Sequence, residues 1–110
     1  MAFSEPLAAR IREALGQQKG IAERKMFGGL AFLLNGNMCC GVVSDRLMVR
    51  LGESGAAEAL SESHTRLMDF TGKPMKSMVY VDPAGLASEE ALRGWVRRAV
   101  AYASSLPAKA

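Results

Sequence analysis

A chain of 110 residues, 49% hydrophobic and 23% charged, has the make-up of one globular domain and the length to bury a core. No apolar run approaches the roughly 20 residues that span a bilayer, and residues 1–6 lack the charged and apolar regions of a signal peptide. Cytoplasmic location without membrane contact is expected. The net charge of +3 falls wholly within residues 1–50, an excess that permits nucleic-acid contact without demanding it.

Ser4 is a good helix N-cap, and Pro6 fits the first turn, where its missing N–H costs little. Leu7, Ala8, Ile11, Ala14 and Leu15 recur at helical spacing. A helix is expected over residues 5–18, with Gly16 weakening its last turn and Gly20 as the stop.

Residues 21–27 read as the first strand, and Gly28-Gly29 bends or bulges it before Leu30. Asn35-Gly36 separates two apolar runs. Both residues tolerate the positive φ of a type I′ turn, so a two-residue hairpin is expected there. It sets Leu34 opposite Asn37, Leu33 opposite Met38, Phe32 opposite Cys39 and Ala31 opposite Cys40. The next turn is Ser44-Asp45 or Asp45-Arg46, and both choices give the same faces.

Alternation then assigns Ala31, Leu33, Met38, Cys40, Val42, Leu47, Val49 and Leu51 to the core face. The second face carries Leu30, Phe32, Leu34, Asn37, Cys39, Gly41, Val43, Arg46, Met48 and Arg50. That is too apolar for a plain solvated face.

A short helix capped by Ser54 follows within residues 52–63, then a short strand at 67–70 and a loop at 71–76 punctuated by Gly72 and Pro74. Residues 77–81 form a strand. Ser88, followed by Glu89-Glu90, starts the last helix, whose apolar stripe is Leu92, Trp95, Val96, Ala99, Val100 and Ala103. Residues 106–110 read as a frayed tail.

The order is α-β-β-β-α-β-β-α, with the first strand bent at Gly28-Gly29. Tight turns make the sheet antiparallel, and singly amphipathic helices cover one face of it. The fold expected is a two-layer α+β domain over residues 1–110, its core at about 5–104. The sheet face bearing Phe32 and Met48 is then open, which predicts a homodimer or a protein partner there.

Arg24, Met26-Phe27-Gly28-Gly29, Phe32, Gly36, Met38, Leu47, Arg50, Gly72-Lys73-Pro74, Tyr80 and Trp95 together resemble the N-terminal domain of the TfoX/Sxy competence-regulator family. The resemblance runs over about residues 5–102, and Met-Phe-Gly-Gly followed by the hairpin is its most specific part. It implies a small two-layer fold with helices on one side of an antiparallel sheet. It also implies a role related to positive regulation of bacterial DNA-uptake genes alongside a promoter-bound transcription factor. The likeness is to a stand-alone N-terminal domain, without the helical C-terminal domain of full-length regulators. Cys39 stands where many relatives carry a large aromatic.

The residues themselves argue against catalysis. Cys39 and Cys40 are adjacent, with side chains expected on opposite faces of a strand, no second Cys pair for zinc and no His near in sequence. They read as free structural thiols. His64 lies in a polar run. Gly28-Gly29 is followed by neither phosphate-loop pattern. No cofactor, metal or catalytic residue is expected, and the chain reads as a non-enzymatic regulatory module.

Its candidate interaction surface is Arg24, Lys25, Phe27, Gly28, Gly29, Phe32, Arg46, Met48, Arg50 and Lys73. The occupant is a protein or a second copy of the chain. The alternative is nucleic acid held by the basic residues of the first half, with bases stacked on Phe27 and Phe32. A small enzyme with Cys39 as nucleophile ranks below both.

Overall fold

The computed structural model describes residues 3–26, 28–70 and 73–107, apart from the side chains of residues 69, 70 and 73–75. The chain runs α1 (Glu5–Leu15), β1 (Ile21–Met26), β2 (Gly29–Leu34), β3 (Asn37–Val43), β4 (Arg46–Arg50) and α2 (Gly52–Ala59). It continues with β5 (Thr65–Phe70), β6 (Lys73–Val81), a 3-10 turn at Pro83–Leu86 and α3 (Glu89–Ser104). The six strands form one antiparallel sheet in the order β1-β2-β3-β4-β6-β5. The fold is α+β with the helices on one face.

Helix ends follow local chemistry. Ser4 Oγ accepts from the Leu7 N–H at 3.2 Å and Ser88 Oγ from the Ala91 N–H at 3.0 Å. Gly16, at φ +56, closes α1 earlier than the expected residue 18, its N–H returning to the Arg12 carbonyl. The expected Ser54 cap is not used: α2 begins at Gly52, directly after Leu51.

The expected bend at Gly28-Gly29 is a complete reversal. Gly28 sits at φ +72 and Met26 pairs with Gly29, so residues 21–34 make two strands of a hairpin instead of one bent strand. Gly29 is needed for close packing, because a Cβ there would lie 2.1 Å from the Val42 carbonyl oxygen. The Asn35-Gly36 turn forms as expected, with φ of 52 and 84. Ser44-Asp45 makes the next one, leaving Val43 opposite Arg46.

One register change corrects the expected faces. Leu34 pairs with Asn37 and Leu33 with Met38, but Phe32 then pairs with Cys40 and Ala31 with Gly41. Cys39 is the extra residue of a β-bulge, and beyond it every pairing slips by one. Leu30, Phe32 and Leu34 therefore join Val42, Leu47 and Val49 in the cluster packed under the helices. Ala31, Leu33 and Met38 move to the other face, beside Met48.

That other face is closed where an open one is expected. Ala31, Met48 and Met68 are fully buried there, and Leu33, Met78 and Tyr80 almost so. Gly41 leaves a lane for Met48, whose methyl would lie 2.7 Å from a Cβ at 41. Arg46 lies over the Tyr80 ring at 5.1 Å. Among the described residues, Met26, Met38 and Val43 are the apolar members of this face that stay half-buried.

Two further expectations change. Residues 73–76 belong to β6, and Pro74 is tolerated because β4 pairs only with Met78 to Val81, leaving the start of β6 without a neighbour on that side. The tail is anchored as far as Pro107, whose carbonyl accepts from Asn37 Nδ2 at 2.8 Å. The expected loop positions 71 and 72 lie outside the described residues.

The two glycines of the first hairpin separate steric from conformational demand. Gly29→Ala is expected to destabilise by about 3 kcal/mol or more, since neither backbone can yield. Gly28→Ala, with open space around it, carries only left-handed strain of about 1 kcal/mol. Urea unfolding midpoints of the two variants check this ordering.

Candidate interaction surface

Strand register decides which of the expected surface residues share a face. Arg24 pairs with Ala31 and Lys25 with Leu30, so they point to opposite sides of the sheet. Arg24 and Met26 stand on the face away from the helices, and Lys25 on the helix side. Met48 pairs with both Gly41 and Tyr80, which places Arg46 and Arg50, its neighbours at two residues' spacing, on the Arg24 face. Arg66, opposite Tyr80, joins them from β5.

Strand register puts Arg24, Arg46 and Arg50 on one side of the sheet together with Arg66, Met26, Met38 and Tyr80, although the Arg50 guanidinium reaches Tyr102 of α3. It removes Phe32, wholly buried under the helices, and Met48, wholly buried on its own side. Neither is presented to a partner. Gly28 and Gly29 act through the backbone. Phe27 lies outside the described residues, as does the side chain of Lys73.

The arginines differ in freedom. Asp82 takes Arg66 at 2.8 Å and Arg46 at 3.7 Å. Arg50 lies over the Tyr102 ring at 5.6 Å and reaches the Met38 carbonyl, next to the bulge, at 3.5 Å. Arg24 is exposed and forms no ion pair among the described residues. The surface is a half-buried methionine and valine patch, Met26, Met38 and Val43, among fixed and free guanidinium groups. Adaptable thioethers beside planar donors suit recognition of a partner. The missed members had no local signal: pairing of β4 with β6, across 22 intervening residues, sets where Arg66 and Tyr80 point.

On the helix side, Arg12 donates to both Glu23 carboxylate oxygens, at 2.7 and 2.9 Å. That bond holds the Glu23 carboxyl below its ordinary range, against partial desolvation, and lifts the Arg12 guanidinium in turn.

Cys39 and Cys40 are both buried in the helix-side core. The bulge cancels the alternation that would have put them on opposite faces. Cys40 is pushed well above the ordinary thiol range by its hydrogen bond to Cys39, by burial and by charge on Cys39. The same hydrogen bond draws Cys39 down while burial pushes it up. His64 is exposed and packs against Gly85. Among the described residues no group of three or more His, Cys, Asp or Glu could hold a metal ion. Among them, too, no helix is long and apolar enough to cross a membrane.

Compared with known proteins, residues 13–103 match the family model of the TfoX N-terminal domain. No curated protein matches the chain.

Two outcomes test this chemistry. Native protein at neutral pH should resist iodoacetamide at both thiols, with two alkylations after unfolding. Rapid native labelling of Cys39, read by mass spectrometry, would restore the nucleophile reading. Glu23, held low in the fold, contributes stability above its unfolded pKa and loses it as pH falls through the folded one. Glu23→Gln should therefore cost under about 1 kcal/mol at neutral pH, since both partners are part-exposed. The difference from wild type should vanish in acid, as measured by urea unfolding across pH.

Proposed function

The chain belongs to the TfoX N-terminal domain family, and from that premise we propose that it is a non-enzymatic regulatory module that binds an acidic protein surface through the non-helix face of its sheet. The observation that carries this reading is the gathering of half-buried Met26, Met38 and Val43 with Arg24, Arg46, Arg50 and Arg66 on that one face. Burial of Cys39 and Cys40 supports the non-enzymatic part.

Charge selects among occupants. A second copy docked about a two-fold axis would set these arginines against their own copies, with Asp82 already engaged by Arg46 and Arg66. An acidic partner relieves that repulsion. The second reading, nucleic acid, draws on the same guanidinium groups, but half of them are held by Asp82, and the apolar patch has no use for phosphate.

Affinity capture from bacterial extract, with the purified chain as bait, tests the proposal beside light scattering of the chain alone. The expected result is a monomer at all salt concentrations that retains a protein insensitive to nuclease. Arg24→Glu with Met38→Glu should lose that protein while keeping the wild-type circular dichroism spectrum. Capture unchanged by these substitutions overturns the surface. Loss of capture on nuclease treatment, with steep salt dependence, transfers the face to nucleic acid, and a salt-insensitive dimer transfers it to self-association.

A further inference from the structure

Five arginines stand on α1 and α3, and they fall into two groups. Arg10 meets Glu89 at 2.8 Å, Arg12 meets Glu23 at 2.7 Å and Arg98 meets Glu62 at 2.9 Å. Arg93 and Arg97 form no ion pair or hydrogen bond among the described residues, although both are exposed. They stand one helical turn apart, a spacing at which like charges repel by a few tenths of a kcal/mol. Glu90 stands one turn before Arg93 and shares a shallow cleft with Glu62 and Arg97, so the repulsion is tempered, yet neither guanidinium is taken up by an ion pair among the described residues.

Both line one cleft of about 200 Å³ between the helices, walled by Ala14, Leu15, Val96 and Val100. A second cleft of about 230 Å³ shares Leu15 and Gln18 with the first and continues past Gly16 to Ile21. Together they make a furrow around the C-terminal end of α1. One lip carries Arg93 and Arg97, the middle runs along Leu15 and Ile21, and the far end is closed by the Arg12–Glu23 pair, whose charges are spent on each other.

We propose that this furrow docks an acidic amphipathic segment of a partner protein, with carboxylates on Arg93 and Arg97 and apolar side chains along Leu15 and Val100. Charge complementarity names the occupant. The apolar wall offers nothing to a phosphate backbone or a free anion, and a second copy would bring the same two arginines against themselves. The furrow lies across the sheet from Arg24 and Met38, so it stands independently of the sheet-face reading, and the domain would engage partners on two opposite sides.

The test is selection of a phage library of random short peptides on the immobilised full chain, run in parallel on Arg93→Glu with Arg97→Glu. Both positions are exposed, so the double variant folds, and its circular dichroism spectrum and thermal midpoint confirm that. Wild type should enrich peptides with two acidic residues flanking apolar ones, and the double variant should lose them. Arg24→Glu with Met38→Glu should enrich the same peptides as wild type. Equal enrichment on the Arg93/Arg97 variant, enrichment of uncharged or basic peptides, or no enrichment overturns the proposal. So does full displacement of the selected peptides by inorganic phosphate, which would reduce the site to an anion contact.

Discussion

The bulge at Cys39 is the constraint on which the sheet depends. The Asn35-Gly36 turn sets Leu33 against Met38, and a regular ladder would then turn Phe32 away from Val42 and Val49. One extra residue restores Phe32 to Cys40, and three large side chains of β2 enter the helix-side core. Burying a phenylalanine matters to stability by about 3–5 kcal/mol, so the register choice outweighs any surface pairing in the molecule. A bulge also disturbs the local ladder. Arg50 helps here, reaching the Met38 carbonyl while its guanidinium lies over Tyr102. A residue with the look of a free surface cation is partly a brace.

The same slip makes the second face. Gly41 is empty enough for the Met48 methyl to lie against it, and Met48 is fully buried among Ala31, Leu33, Met68, Met78 and Tyr80. Among the described residues, Met26, Met38 and Val43 remain half-buried there. The two sides of the sheet therefore have different jobs. Beneath the helices, branched and aromatic residues pack a core with charge pairs at its rim, each contributing little to stability. On the other side, methionines are buried along the strands and arginines lie at their margins, Arg46 and Arg66 held by Asp82.

Local chemistry was readable at several single residues, though not at Ser54, which lies inside α2 and caps nothing. Ser4 and Ser88 cap, Asn35-Gly36 turns, and the α3 stripe from Leu92 to Ala103 packs inward. The α+β class and the one-sided helix layer follow from those. The β2 face did not follow, because a bulge adds one residue with no spacing signature, and Cys39 looks like any other apolar strand residue. The hairpin at Gly28 was half legible: the glycine pair announced an irregularity, while the reversal depends on Gly29 packing against the Val42 carbonyl. Of the basic residues, Arg46 and Arg50 share a side because they lie two positions either side of Met48 in one strand, while Arg24 reaches that side only through the Gly28 reversal and the Cys39 bulge. Lys25 was misplaced with them, since adjacent strand residues cannot share a face.

Edge strand β1 shows how the domain limits unwanted association while keeping surface for partners. Its exposed run Ala22, Glu23, Arg24 and Lys25 carries three charges, a pattern that discourages pairing with another sheet edge. Glu23 is turned inward onto Arg12, which pins the strand to α1. Arg24 is left free on the opposite side. Catalysis requires groups held to within about half an ångström by their supports, and the rigid parts of this molecule hold apolar side chains and thiols away from solvent. Among the described residues the exposed charged groups are of both signs, with carboxylates as numerous as cations. The sheet thus divides a helix-side core of branched and aromatic residues from a face packed with methionines and Tyr80.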